Sequence, residues 1–302
     1  MQQSIFARPT WVTTFALTAA IAWGWAYPLI KIGFEEFQIH PDMTGSKMLF
    51  AGVRFFLSGV IILTIARATK RNFQVKGKSN WGFILLFTLL NTTLHYAFFY
   101  IGLSHSDGAR AAILNSLSVF VLVLLACAIF PSDKLTTRKI LGCVLGFVGI
   151  LLLNLNAVDT FDFTLLGDGM IVLNALCSAF ASLMTRGVSK RIDIFVGTGY
   201  SLGLGGFFLI LVGLIYGGTL PVITFWGCVI LLLLTGISAL GFALYNNLLN
   251  YNPIGKIAIY NSLIPIVGAL TSCIFLDEPF YEKYIIAGAL AAGGIYIINK
   301  GK

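Results

Sequence analysis

Ten long apolar runs divide this chain, and they leave few folds open. They fall near Trp11 to Phe34, Ser46 to Ala66, Asn80 to Leu103, Gly108 to Phe130, Ile140 to Leu155, Leu165 to Met184, Phe195 to Gly217, Ile223 to Leu249, Gly255 to Leu276 and Tyr284 to Ile298. Most are unbroken by charge and long enough to cross ~30 Å of hydrocarbon as helix. Isolated apolar segments in lipid satisfy their backbone polar groups only as continuous helix. A transmembrane β-barrel needs alternating polar and apolar residues, and runs such as Val121 to Phe130 do not alternate. The expected fold is an all-α integral membrane bundle of ten helices. Composition agrees: 58% of the 302 residues are hydrophobic and 11% charged, against about 25% charged in a soluble domain. Ten spans of about 20 residues use about 200 positions, which leaves room only for short loops and no sizeable soluble domain.

Charge then sets the topology. On one side of a ten-span arrangement lie fifteen lysines and arginines, in the loops around Arg67 to Lys78, Lys134 to Lys139 and Arg186 to Arg191, beside Lys256 and at both ends of the chain. The other side holds four, Lys31, Lys47, Arg110 and Lys283, and Arg54 lies inside a helix. The positive-inside rule puts both termini in the cytoplasm. The net charge of +8 is therefore a topology signal; these charges sit in separate short loops, so no nucleic-acid partner is expected. The first apolar run, about 24 residues, exceeds the 7 to 15 of a signal-peptide core and no A-x-A site follows, so it is read as a retained span. The five cysteines lie within apolar runs without a C-x-x-C pair, which indicates neither a disulfide framework nor a metal site.

The two halves of the sequence repeat. Arg110-Ala-Ala-Ile-Leu-Asn115-Ser116-Leu117 matches Lys256-Ile-Ala-Ile-Tyr-Asn261-Ser262-Leu263 at an offset of 146, and the same offset pairs Gly59 with Gly205, Leu103 with Leu249, Cys127 with Cys273 and Gly142 with Gly288. Each half, 1–155 and 156–302, holds five spans. Five is odd, so the halves enter the membrane in opposite orientation. An inverted duplication of this kind places a solute site near the midplane between halves and permits alternating access.

Trp23-Gly24 and the Pro28 to Lys31 pattern in the first span, Arg54-Phe55 in the second, the paired segments around Asn115 and Asn261, Pro265, and Asp277-Glu278-Pro279 followed by Gly288 together resemble the ten-helix EamA-type transporters of the drug/metabolite transporter superfamily. The resemblance covers essentially the whole chain. It implies a secondary or facilitative exporter of small metabolites such as amino acids in a bacterial inner membrane. An organic-cation (choline-like) or nucleotide-type carrier of the same fold is the alternative within transport, and an intramembrane enzyme the alternative outside it. One departure stands out: the family's proline in the fourth span is Val119 here, and Pro131-Ser132-Asp133 replaces a Glu-containing turn. The first repeat is accordingly expected to be stiffer than the second at the hinge, with Pro28 and Pro265 as gating candidates.

Polar groups inside spans are costly, so each is a candidate for solute contact, with helix-to-helix bonding as the competing role. His95 is the only histidine within a span; with Asn91 one turn before it and Phe98 or Phe99 after it, it makes a polar and aromatic stripe. Arg54 cannot shed its proton and must either snorkel toward the headgroups, the favoured expectation, or find carbonyls or an anionic solute. Asn115 and Asn261 sit at equivalent points of the repeats. Asn174, Tyr245, Asn246 and Asn247 add polar capacity, and Trp23, Trp25, Tyr27, Tyr96, Phe99, Tyr100 and Phe242 add aromatic surface suited to flat apolar or cationic ligands.

No span carries an acid near its centre; Asp168 lies close to the end of the sixth, where Lys31 is placed to pair with it. Proton coupling would have to use His95, whose ordinary pKa is near 6.5, or Asp168. Phosphate-loop, H-E-x-x-H and nucleophile-elbow motifs are missing from the sequence, so no catalytic residue, metal or cofactor is assigned. The small-residue pairs Gly142/Gly146 and Gly199/Gly203 point to close helix packing, or to a dimer face in a protein read as a monomer or weak homodimer.

Overall fold

In the computed structural model, residues 4–129, 135–153, 163–252, 257 and 260–299 are described. They are almost entirely helical, with no strand among the described residues. The long helices are α1 (Pro9–Glu36), α2 (Thr44–Ala68), α3 (Lys78–Ser104), α4 (Gly108–Ile129), α5 (Thr137–Leu153), α6 (Leu165–Ser189), α7 (Ile194–Ile215), α8 (Phe225–Tyr251), α9 (Leu263–Phe275) and α10 (Glu282–Asn299). Seven of them are long and apolar enough to cross a membrane. The beginning of the ninth apolar run, Gly255 and Lys256, and the Pro131-Ser132-Asp133 turn lie outside the described residues, as do Asp159 and the charged C-terminus.

The packing pairs expose the symmetry. α2 lies along α7, and α5 along α10; α1 packs on α8 and α9, while α6 packs on α3 and α4. Exchanging each helix of the first five for its counterpart in the second five leaves this set of pairs unchanged, as an inverted repeat with a pseudo-two-fold axis in the membrane plane requires.

Glycine makes the tightest pair possible. A Cβ on Gly59 would overlap the backbone of Gly203, and one on Gly206 would overlap the backbone at Phe56. Small residues let helix backbones approach where lipid supplies no hydrophobic drive to pair. Gly142 and Gly146 meet Gly294 of α10 in the same manner.

Two helices are locally irregular. α3 contains a π-helical turn at Leu89–Thr93, which widens the helix beside Asn91, and π-turns of this kind cluster at functional sites. α4 is interrupted at Ser116, where the Ser116 amide and hydroxyl both bond back to the Ile113 carbonyl at 3.0 and 2.6 Å, and Val119 N–H donates to Ser116 O. Span four, which lacks the proline, is thus interrupted by a serine that competes for the backbone three residues before Val119. In the second half, a 3₁₀ turn at Tyr260–Ser262 precedes α9 at the equivalent place.

Candidate functional site

Between the two halves lies a cavity of about 120 Å³. Its wall follows from helical spacing. Trp23, Tyr27 and Ile30 of α1 are four and three residues apart, so they share one face. α3 contributes Asn91, His95, Tyr96 and Phe99; α4 and α9 contribute Asn115, Val119, Asn261 and Pro265; α8 contributes Phe242, Tyr245 and Asn246; and α2 contributes Arg54. Of the sequence candidates, Asn174 and Pro28 are buried but off the cavity wall.

The two repeat-related asparagines make the same bond. Asn115 Nδ2 donates to the Tyr27 hydroxyl and Asn261 Nδ2 to the Tyr245 hydroxyl, both at 3.0 Å. Asn174 stands behind the first pair and donates to Asn115 Oδ1 at 2.7 Å. Asn91 donates to Ser201 Oγ at 3.0 Å and Asn246 to Thr198 Oγ1 at 2.9 Å, which ties α3 and α8 to α7. Thus these asparagines serve both roles weighed from sequence: they line the cavity or its backing and bond between helices.

Aromatic rings fill the middle. Tyr96 sits with its centroid 3.9 Å from Phe55 and 4.4 Å from His95, and Trp23 meets Phe242 and Tyr245 edge-on at 5.3 and 5.1 Å. His95 Nδ1 and Trp23 Nε1 are buried without a hydrogen-bond partner. Trp25 instead packs on Phe275 at 5.0 Å, away from the cavity.

Arg54 does not snorkel. It is 2% exposed, its Nε donates to Leu234 O and Ser238 Oγ, and its Nη1 donates to Tyr100 OH. Carbonyl and hydroxyl oxygens from α8 and α3 hold the group inside, so the long side chain gains nothing by reaching for headgroups. Three hydroxyl-bearing positions on α6 that sequence reasoning passed over also line the wall: Ser178, Ser182 and Thr185. Their spacing of four and three residues marks one helical face and was available as a signal.

Beyond the wall positions Ile30 and Ala112, charged side chains pair between the halves. Lys31 Nζ pairs with Glu278 Oε1 at 2.8 Å, and the Glu278 carboxylate also accepts from the amides of Gly108 and Ala109 at the start of α4, where the helix dipole favours an anion. Arg110 holds Asp168 through two bonds of 2.9 and 2.8 Å, the bidentate geometry of a strong pair. The expected Lys31–Asp168 pair is therefore corrected: each has a nearer partner, brought in by α9 and α4. Above these pairs a separate polar hollow of about 380 Å³ contains Lys31, Arg110 and Asp168 in its wall. Each pair joins the first half of the chain to the second. Their counterparts at the 146 offset, Cys177 for Lys31, Ala22 for Asp168, Lys256 for Arg110 and Ser132 for Glu278, could form neither pair.

Several known proteins of similar sequence are named as transporters. The uncharacterized transporter YvbV of Bacillus subtilis is 24% identical, with 92% of this chain and 88% of that protein aligned. A WAT1-related chloroplastic protein of Arabidopsis thaliana is 26% identical over 95% of this chain and 69% of its own length. An uncharacterized transporter of Archaeoglobus fulgidus is 26% identical over 93% and 94%. One solved crystal structure superposes with a TM-score of 0.65 at 17% identity, covering 94% of this chain and 95% of that one, a likeness of fold. The EamA-like transporter profile matches twice, over residues 10–155 and 165–300. With a paired cavity between two inverted five-helix halves and a family match across both, this chain is a multi-pass membrane protein of the EamA-like transporter family, a transporter rather than an enzyme.

Proposed function

We propose that the protein is a secondary or facilitative carrier that exports small metabolites, amino acids foremost, by alternating access between its two halves, 1–155 and 156–302. The observation that supports this most is a central cavity with two well-buried ion pairs, Lys31–Glu278 and Arg110–Asp168, joining the halves toward one face, while the pair that joins them on the opposite face, Arg71–Asp193, is more exposed. The Lys/Arg distribution makes that face the outer one of an inner membrane, with both termini in the cytoplasm. The wall positions on α6 step from Ser178 to Thr185 toward the opposite, cytoplasmic end. This conformation is accordingly the one closed to the outside. Outward opening separates Lys31 from Glu278 and Arg110 from Asp168, and solute binding supplies the differential affinity that shifts the populations.

In this scheme Tyr27–Asn115 and Tyr245–Asn261 are matched contacts, one inside each half, that brace the cavity wall, and Pro265 and Pro28 are hinge positions. His95, with its unpartnered Nδ1, is the group through which a proton would couple. The glycine ridges are consumed between α2 and α7 and between α5 and α10, which favours a monomer over a dimer built on them.

Reconstitution into liposomes tests the proposal. Counterflow of radiolabelled amino acids, quaternary amines and nucleosides should show saturable exchange for amino acids. Exchange of quaternary amines or nucleosides alone would overturn the solute class, and no exchange of any solute would overturn the carrier.

A further inference from the structure

Arg54 is the only permanently charged side chain among the described residues that line the cavity. All of its protein acceptors are neutral. The Nε hydrogen is shared between Leu234 O at 3.1 Å and Ser238 Oγ at 2.9 Å, and one Nη1 hydrogen goes to Tyr100 OH at 2.7 Å. These bonds, with the Phe55 ring 4.8 Å from the guanidinium carbon, fix the plane of the group. They leave the second Nη1 hydrogen and both Nη2 hydrogens without an acceptor among the described residues. No aspartate or glutamate lines the cavity with it.

A guanidinium stays ionised in any protein environment, and an ionised group buried without a counter-charge is destabilising unless an anion joins it. Neighbouring groups point the same way. The Trp23 indole N–H, a donor only, is buried without a partner, while Asn91, Asn115, Asn246 and Asn261 spend amide hydrogens on protein acceptors. The cavity therefore combines a fixed positive charge and an unmet donor with aromatic walls, and it offers a cation no counter-charge.

Resting on the carrier reading above, we infer that the transported solute bears a carboxylate, which docks on the free Nη edge of Arg54 while its apolar body lies against Trp23, Tyr96 and Phe242. Two parallel N–H···O bonds to one carboxylate are the geometry that this fork presents. The same charge excludes choline-like solutes, for which the aromatic rings by themselves would have been suitable.

Four matched probes separate the charges: 3-phenylpropionate, phenylalanine, 3-phenylpropanamide and phenethylamine, titrated against the purified full chain in detergent by calorimetry and thermal shift. Both carboxylates should bind at least about tenfold more tightly than the amide or the amine, as one bidentate charged contact allows. In Arg54→Gln that preference should vanish, and in Arg54→Lys it should persist in weakened form, because the charge remains and the fork is lost. Equal or tighter binding of the amide or amine to the wild type overturns the inference, as does no binding of either acid, or an acid preference retained by monodisperse Arg54→Gln. If that variant fails to fold, the wild-type comparison decides by itself. Counterflow with the same probes keeps the two claims apart. Acids that bind through Arg54 yet never cross leave the subsite standing and overturn the carrier; an amine that crosses while the acids do not bind does the reverse.

Discussion

Single side chains here separate into those that shape the cavity and those that support it. His95 lines the wall and makes no hydrogen bond at Nδ1, so His95→Ala should leave the protein monodisperse in detergent while initial transport rates fall. Normal flux in liposomes would remove it from the site. Asn174 stands one position back, bonded to Asn115 Oδ1, and its loss acts through the helix packing. Asn174→Ala should cost about 0.6 kcal/mol, the average for a hydrogen bond between membrane helices, read as a small drop in unfolding temperature with half-saturation little changed. A large rise in half-saturation with unchanged stability would move Asn174 into the binding site. From sequence these two residues looked alike, a polar group inside a span. What distinguishes them is whether a neighbouring helix supplies a partner, and that is decided by rotation of α3 and α6 about their axes.

Within helices, close approach and breaks carry the information. Gly59 has backbone of α7 where a Cβ would stand, whereas Gly236 has nothing within 4 Å. Gly59→Ala should destabilise by ~1–3 kcal/mol, the range for overpacking, and Gly236→Ala should be neutral or slightly stabilising through helix propensity; chemical denaturation in mixed micelles compares the two directly. Pro265 and its repeat-mate Val119 both face the cavity, but α4 already breaks at Ser116 without a proline. Pro265→Ala should slow maximal transport more than it alters solute affinity, and Val119→Pro should be partly tolerated because the helix there is interrupted anyway. An unchanged maximal rate in Pro265→Ala would make that proline a packing feature. The sequence identified the equivalence of the two positions through the offset of 146. It concealed the break, because Ser116 competes for a backbone carbonyl through its own hydroxyl and carries no composition signal as strong as proline's.

For the molecule as a whole, the asymmetry of charge between faces predicts which conformation rests most stably. Glu278 is 9% exposed at its side chain and bonded to Lys31 and two amides. Glu278→Gln should thus shift the population toward the outward-open form, since a removed contact biases the equilibrium by its differential energy. A single cysteine placed at Ala26, on the cavity wall, should then react severalfold faster with a membrane-impermeant maleimide from outside. An unchanged rate would mean that the ion pairs do not hold that face shut. Topology has its own check: labels near Lys76 and at the C-terminus should react only from the cytoplasm, and labels near Asp159 only from outside. Termini reachable from opposite faces would contradict the even number of spans.

The sequence by itself determined the helical class, the ten-span count, the duplication and its inversion. Each of these follows from hydropathy period, charge in loops and odd parity, properties that a chain in lipid expresses segment by segment before any segment meets another. It also named most of the polar groups now found on the cavity wall, because an intramembrane polar residue is too costly to retain idly. Tertiary structure decided who partners whom. Arg54 found Leu234, Ser238 and Tyr100 at sequence distances of 180, 184 and 46 residues, and Lys31 met Glu278 rather than Asp168. Such choices depend on helix rotation and register across the interface of the two halves, set by glycine contacts of van der Waals range, and no local pattern in one helix encodes the face that another will present.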